Sequence, residues 1–261
     1  MKQRKKQSIA ALAGAIAEAE AKKYETEGTD LNGLGALLKD FLEKDHSPDR
    51  EQLKRDYIAG LPLTGASGLR KRLAAIDLEF FGRAYFPHYF SRPSPDFHRE
   101  LDGIWQQGVL KGRSPLAPAD AKKISRLPGV RRVVAAPRGH AKSTNLTFKG
   151  TMHAVLYEYK HYPILISDSS EQAEGFLDNI RVEFEENPAI IEDFGFLPGK
   201  VWRGNVLVTK SNIKLEAIGS GKKIRGRKHR NWRPDLIILD DVENDENVRT
   251  PDQRGKLDNW F

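Results

Sequence analysis

Lys142, Ser143 and Thr144 close the stretch 133–144, VVAAPRGHAKST. A β-branched run, a Pro-Arg-Gly turn, then a lysine and two hydroxyls where a helix can start is an order that builds a phosphate cradle. The turn aims backbone N–H groups and the positive end of a helix dipole at an anion. Lys142 adds a point charge, Ser143 can offer its hydroxyl to Mg2+, and Pro137, Arg138, Gly139, His140 and Ala141 form the loop between. The general pattern is G-x-x-x-x-G-K-[ST], and here Ala136 and Ala141 stand in place of its two glycines.

A second cluster is acidic. The run 236–239, LIIL, ends in Asp240 and Asp241, followed by Val242 and Glu243. Alone, an acidic pair after an apolar run can cap a helix or hold two metals in a nuclease. Downstream of a phosphate loop, with predicted strands and helices between, it reads as the carboxylate side of a nucleotide-bound Mg2+ site, because ligands collect at the C-terminal edge of an open α/β sheet. Phosphoryl transfer is mostly positioning and charge neutralisation. Ser143 and Asp240 would then hold Mg2+, and Lys142 would pair with the β- and γ-phosphates of ATP. A second carboxylate must orient or deprotonate the attacking water; Asp241 is nearest in sequence and Glu243 is the alternative.

Between the two clusters lies 219–235, GSGKKIRGRKHRNWRPD, dense in lysine and arginine. Such a run is a solvated loop, a surface for DNA phosphates, or the source of an arginine reaching a neighbouring subunit's γ-phosphate.

These groups need a scaffold, and the chain patterns as alternating strand and helix from 131 onward. RRVVAAPR reads as a strand entering the loop and 143–159 as a helix. Tyr162 to Ser167 reads as a buried parallel strand, and 171–187 as a helix. Residues 205–209 and 213–217 read as an antiparallel pair, LIIL as a further buried strand, and 250–261 as a helix capped by Thr250. The expected fold is α/β: a P-loop NTPase core, its largely parallel sheet flanked by helices. A helical region precedes it. Ser8 to Lys23 has helical spacing, and Asp30 can cap a helix carrying Leu31, Leu34, Leu37, Leu38, Phe41 and Leu42 on one face. Turn-rich 60–68 then links to an aromatic-rich helical stretch from Leu69 to Phe90, whose rings read as core. Arg92, Phe97 and His98, ahead of the first core strand, are candidates to touch a nucleotide base. A connection, 111–129, closes this lead-in. The expected division is a helical lead-in over 1–68 and the ATPase domain over 69–261.

The composition adds limits. A formal net charge of +7 suggests an anionic partner, nucleic acid first. No apolar run is long enough to cross a bilayer and no secretion signal opens the chain, so a cytoplasmic protein is expected. With no cysteine there are no disulfides and no thiolate metal sites.

Taken together, APRGHAKST, YPILISDSSEQAEGFLDNIR, IRGR and RPDLIILDDVENDENVRTPDQR resemble the ATPase domain of a tailed-phage or prophage terminase large subunit, from roughly Phe80 onward. The resemblance implies ATP hydrolysis that drives double-stranded DNA into a capsid, in a bacterial host cell. It implies a homo-oligomeric ring on the capsid portal and a small terminase subunit as partner. Irregular loops with an arginine ahead of the lysine are usual in that family. By likeness, Arg138 would contact the γ-phosphate in cis and Arg225 would be the intersubunit arginine finger, with Arg227 and Arg230 as alternatives. Family members continue to a coupling motif and a nuclease domain, so the chain is expected to be the ATPase part alone. A helicase-like DNA translocase, a DNA-binding assembly module with a degenerate nucleotide site and a metal-dependent nuclease are the competing readings.

Overall fold

The computed structural model describes residues 30–110, 129–243, 250–252 and 255. The expected helix over 8–23, the connection 111–128 and most of the helix from Thr250 lie outside these.

The strands are β1 (Pro163–Ser167), β2 (Pro198–Arg203), β3 (Val206–Thr209), β4 (Lys214–Gly219) and β5 (Leu236–Leu239). They form one mixed sheet in the order β2-β3-β4-β1-β5. β1 runs parallel to β4 and β5, with Ile164 opposite Glu216 on one side and Ile237 on the other. β3 is antiparallel to both β2 and β4, as the spacing around Lys210, Ser211 and Asn212 predicts. β1 is buried throughout, which is why it reads as an unbroken apolar run rather than an alternating one.

The sheet is thus only partly parallel, and the strand expected over 131–136 is missing. Val133 is 96% exposed, and a cavity of about 440 Å³ separates 129–134 from the outer edge of β5. Strands must approach to about 4.8 Å to exchange hydrogen bonds, so no ladder forms there. For the same reason β5 is not the buried strand expected of LIIL. Its outer edge is open among the described residues, and Ile237 and Leu239 are 43% and 45% exposed.

Helices α1 (Leu31–Leu42), α2 (Pro48–Ile58), α3 (Leu69–Ile76), α4 (Leu78–Tyr85) and α5 (Asp96–Leu110) precede the sheet. Asp30 caps α1 by accepting from the Gly33 amide, and Asp77 caps α4 through the Phe80 amide. The loop is followed by a wide helical segment, π1 (Ser143–Gly150), that continues as α6 (Thr151–Leu156). α7 (Ser170–Glu186) and α8 (Pro188–Phe194) complete the set. Phe41, Leu53, Phe80, Phe81, Tyr85 and Phe86 share one core with Leu177 and Phe184 of α7 and Leu165, Leu215 and Ala217 of the sheet. The aromatic stretch is therefore core, apart from Tyr89, which is exposed. A buried ion cluster ties the helical region to α8: Asp193 accepts from Arg70 Nε at 2.7 Å and Nη2 at 2.9 Å, from the Tyr85 hydroxyl and from the Gly65 amide.

The two faces of the sheet are covered differently. Leu165, Ala217 and Ile238 point into the helical core, whereas Tyr162, Ile164, Ile166 and Ile218 form a second cluster under Ile224, Trp232 and Val242. Ile224 and Trp232 belong to the basic segment 220–235, which crosses that face as a turn-rich strap.

Candidate functional site

The C-terminal edge of the sheet is drawn together by backbone bonds. Asp240 N donates to Ile166 O at 2.9 Å, Asp168 N to Asp241 O at 3.0 Å, and Ser220 N to Ser167 O at 2.7 Å. Ser167 Oγ adds a bond to Asp240 O at 2.8 Å. The ends of β1, β4 and β5 therefore meet at one rim. β4 presses on the start of α7 there: a Cβ on Gly219 would lie 2.8 Å from the Ser170 amide.

Loop 137–144 lies against that rim. Pro137, Arg138, Gly139, His140, Ala141, Lys142, Ser143 and Thr144 line a cavity of about 860 Å³ together with Asp168, Gln172, Asp241 and Glu243. The structure thus brings the phosphate-loop candidates and both candidate water-orienting carboxylates to one space. Gly139 has φ +78° and Ala141 φ +49°, so the loop needs two left-handed residues. An alanine there carries a backbone cost of about 1–2 kcal/mol that glycine would not. Asp241 is also left-handed, at φ +46°, at the point where the chain leaves β5.

Lys142 Nζ folds back onto its own loop, 2.5 Å from Ala136 O and 3.3 Å from Pro137 O. The amide N–H groups of Gly139, His140, Ala141 and Lys142 donate to no backbone carbonyl among the described residues. Unpaired donors at a helix start, beside Arg138 and Lys142, suit a multiply charged phosphate.

Asp240 departs from its expected place. Thr147 Oγ1 donates to Asp240 Oδ2 at 2.6 Å, and Asp240 lines the neighbouring cavity with Lys142 and Thr147 rather than the one lined by Ser143. Thr147 sits four residues after Ser143, one turn along the same face of π1. Among the described residues no three His, Asp or Glu side chains form a ready-made metal cage. That donor set fits Mg2+ only in the manner usual for it, through one or two carboxylates plus substrate phosphates and water.

Phe97 and His98, at the start of α5, reach the loop. His98 Nε2 lies 3.0 Å from His140 O, and the Phe97 ring meets that of His140 edge-on at 6.0 Å. Arg92 makes no such contact, and Arg225 does not line the loop cavity. Arg225 is exposed on the strap, as is Arg230. Arg227 is committed in cis, donating to Glu216 Oε1 at 2.6 Å. Burial alone would raise the Glu216 carboxyl. Hydrogen bonds from Tyr162 and Lys214, with the charges of Lys214 and Arg227, hold it below its ordinary value instead.

Thr147, Asp168 and Gln172 escaped the sequence reading. Asp168 directly follows β1, so the rule that ligands gather at strand C-termini would have found it; Thr147 carried no signal beyond its spacing from Ser143. No family model, no curated protein and no solved structure matches the chain.

Proposed function

We propose that this chain is a Mg2+-dependent ATPase of the P-loop type, the ATPase part of a terminase-like motor that drives double-stranded DNA into a capsid. The observation that carries the reading is the shared cavity: an amide-rich loop with Lys142 on one wall, and Asp168, Asp241 and Glu243 on the other. In this reading Arg138, Lys142 and the amides of 139–142 hold the phosphates. Ser143 holds Mg2+, and Asp240, which lines the adjoining cavity and is oriented by Thr147, reaches it through water. Asp241 or Glu243 orients the attacking water and takes its proton. Bound Mg2+ supplies charge neutralisation of the phosphate oxygens. Phe97, His98 and His140 flank the loop where a base can rest. Arg225 is exposed and has no partner among the described residues, which suits an arginine acting on a neighbouring subunit, whereas Arg227 would have to leave Glu216 to do so. The resemblance to terminase large subunits implies a ring on a capsid portal, working with a small terminase subunit in the cytoplasm of a bacterial host. Among the described residues no helix is long and apolar enough to cross a membrane.

Phosphate release and nucleotide binding, measured on the wild type and on Lys142→Ala, test the reading. Hydrolysis should vanish in the variant; undiminished turnover would end the assignment of the loop. One observation favours a second reading, an assembly module with a degenerate site: Lys142 is turned onto its own loop carbonyls. Nucleotide binding without any Mg2+-dependent hydrolysis in the assembled protein would select that module.

A further inference from the structure

The strap 220–235 is pinned by its apolar residues, its single acid and two of its seven cations. Trp232 stacks on His161 at 3.9 Å with the planes 10° apart, and Ile224 packs on the cluster of Tyr162, Ile164 and Ile166. His229 and Trp232 exchange backbone hydrogen bonds at 2.9 Å. The strap's one acidic residue, Asp235, accepts from the His161 and Tyr162 amides at 2.8 Å each. Arg227 is neutralised by Glu216 and Lys222 bonds the Ser170 hydroxyl. What remains outward is Lys223, Arg225, Lys228, Arg230 and Arg233, all exposed.

We infer that this face of the sheet is a docking surface for the phosphate backbone of duplex DNA, bound without regard to sequence. It presents fixed positive charge with no anion among the outward groups, the requirement for neutralising phosphates and releasing their counterions. Single strands are bound on exposed aromatic platforms, and the strap's one large ring is already stacked on His161. A membrane would need exposed apolar anchors, and Ile224 and Trp232 are turned inward. The inference deepens the motor reading and rests on it for the purpose of the contact, though not for its chemistry.

The test is fluorescence anisotropy with a random-sequence 30-base-pair duplex, without nucleotide, over a series of salt concentrations. The five outward cations together give a slope of log affinity against log salt of roughly −4.5, at about 0.9 per phosphate contact. The triple variant Lys223→Gln, Lys228→Gln, Arg233→Gln should lose about 2.7 of that slope and bind at least about tenfold more weakly. A variant with Lys39, Arg55 and Lys200 changed to Gln, on α1, α2 and β2, should bind as the wild type does. Equal losses in both variants, an unchanged slope in the strap variant, or tighter binding of a single strand than of duplex would overturn the inference. ATP hydrolysis by the strap variant, none of whose changed residues lines the loop cavity, should stay at the basal rate. Lost DNA binding with intact hydrolysis would support the surface. Lys142→Ala that hydrolyses normally while the strap variant fails on DNA would overturn the ATPase assignment and leave the surface standing.

Discussion

Thr147→Val removes one oxygen and keeps the β-branched shape, so its effect reports on the bond from Thr147 Oγ1 to Asp240 Oδ2. At 2.6 Å this is a short charge-assisted hydrogen bond. Thr147 is buried and Asp240 half-buried. Bonds to charged groups contribute about 1.5–3 kcal/mol, and the partial exposure of Asp240 brings the expected loss of stability to about 1 kcal/mol. The functional loss should be larger in relative terms. A group that orients a metal-binding carboxylate is worth about 10–100-fold in metal affinity or activity, or about 1.4–2.8 kcal/mol. The assay is phosphate release against free Mg2+ at saturating ATP, paired with urea unfolding. Half-saturation by Mg2+ should move up about tenfold, with most of the maximal rate retained, and Thr147→Ser should restore it. Asp240→Ala should instead remove the rate. An unchanged Mg2+ dependence in Thr147→Val, with an unchanged unfolding midpoint, would refute the coupling between these residues.

His153 is fully buried, with Nε2 3.2 Å from the carbonyls of both Ala74 and Ala75, and burial pushes its pKa down to about 4. The unfolded chain takes up the proton first, so the stability due to neutral His153 is complete above about pH 6.5 and falls as pH drops toward 4, by about 3 kcal/mol in all. Urea midpoints across that range should show the loss, and His153→Gln should flatten it. Ala141→Gly should relieve about 1–2 kcal/mol of left-handed backbone cost at φ +49°, offset by about 0.4–1 kcal/mol of added unfolded-state entropy. The melting temperature should hold or rise slightly, and a clear fall would mean that the side chain is needed. Asp193→Ala strands the buried Arg70 guanidinium, leaving it chiefly the half-exposed Glu192, and should cost about 3–5 kcal/mol in urea unfolding. A loss under 1 kcal/mol would show that the cluster does not hold α3 to α8.

What could be read from the residues was what depends on local chemistry. The cap at Asp30, the antiparallel turn around Ser211 and the buried run of β1 each have a short-range cause, and each appears where its cause predicts. Asp168 and Asp241 meet because the ends of β1 and β5 are tied by Asp240 N and Ser167 Oγ, a consequence of parallel pairing that the alternation of strand and helix implies. Relations set by three-dimensional spacing were not legible. VVAA has the composition of a strand, but composition says nothing of whether its backbone comes within bonding distance of β5, and it does not. An Asp-Asp pair does not reveal which carboxylate faces which cavity. The left-handed turn at Asp241 and the hydroxyl of Thr147 decide that, sending Asp240 toward π1 and leaving Asp241 with the loop. The same holds for the strap. Seven positive side chains in sequence look equivalent, yet Glu216 and Ser170 engage Arg227 and Lys222 and leave five facing outward. Charge at a position is a property of the residue, whereas its availability is a property of the fold, and both candidate roles of the strap depend on availability.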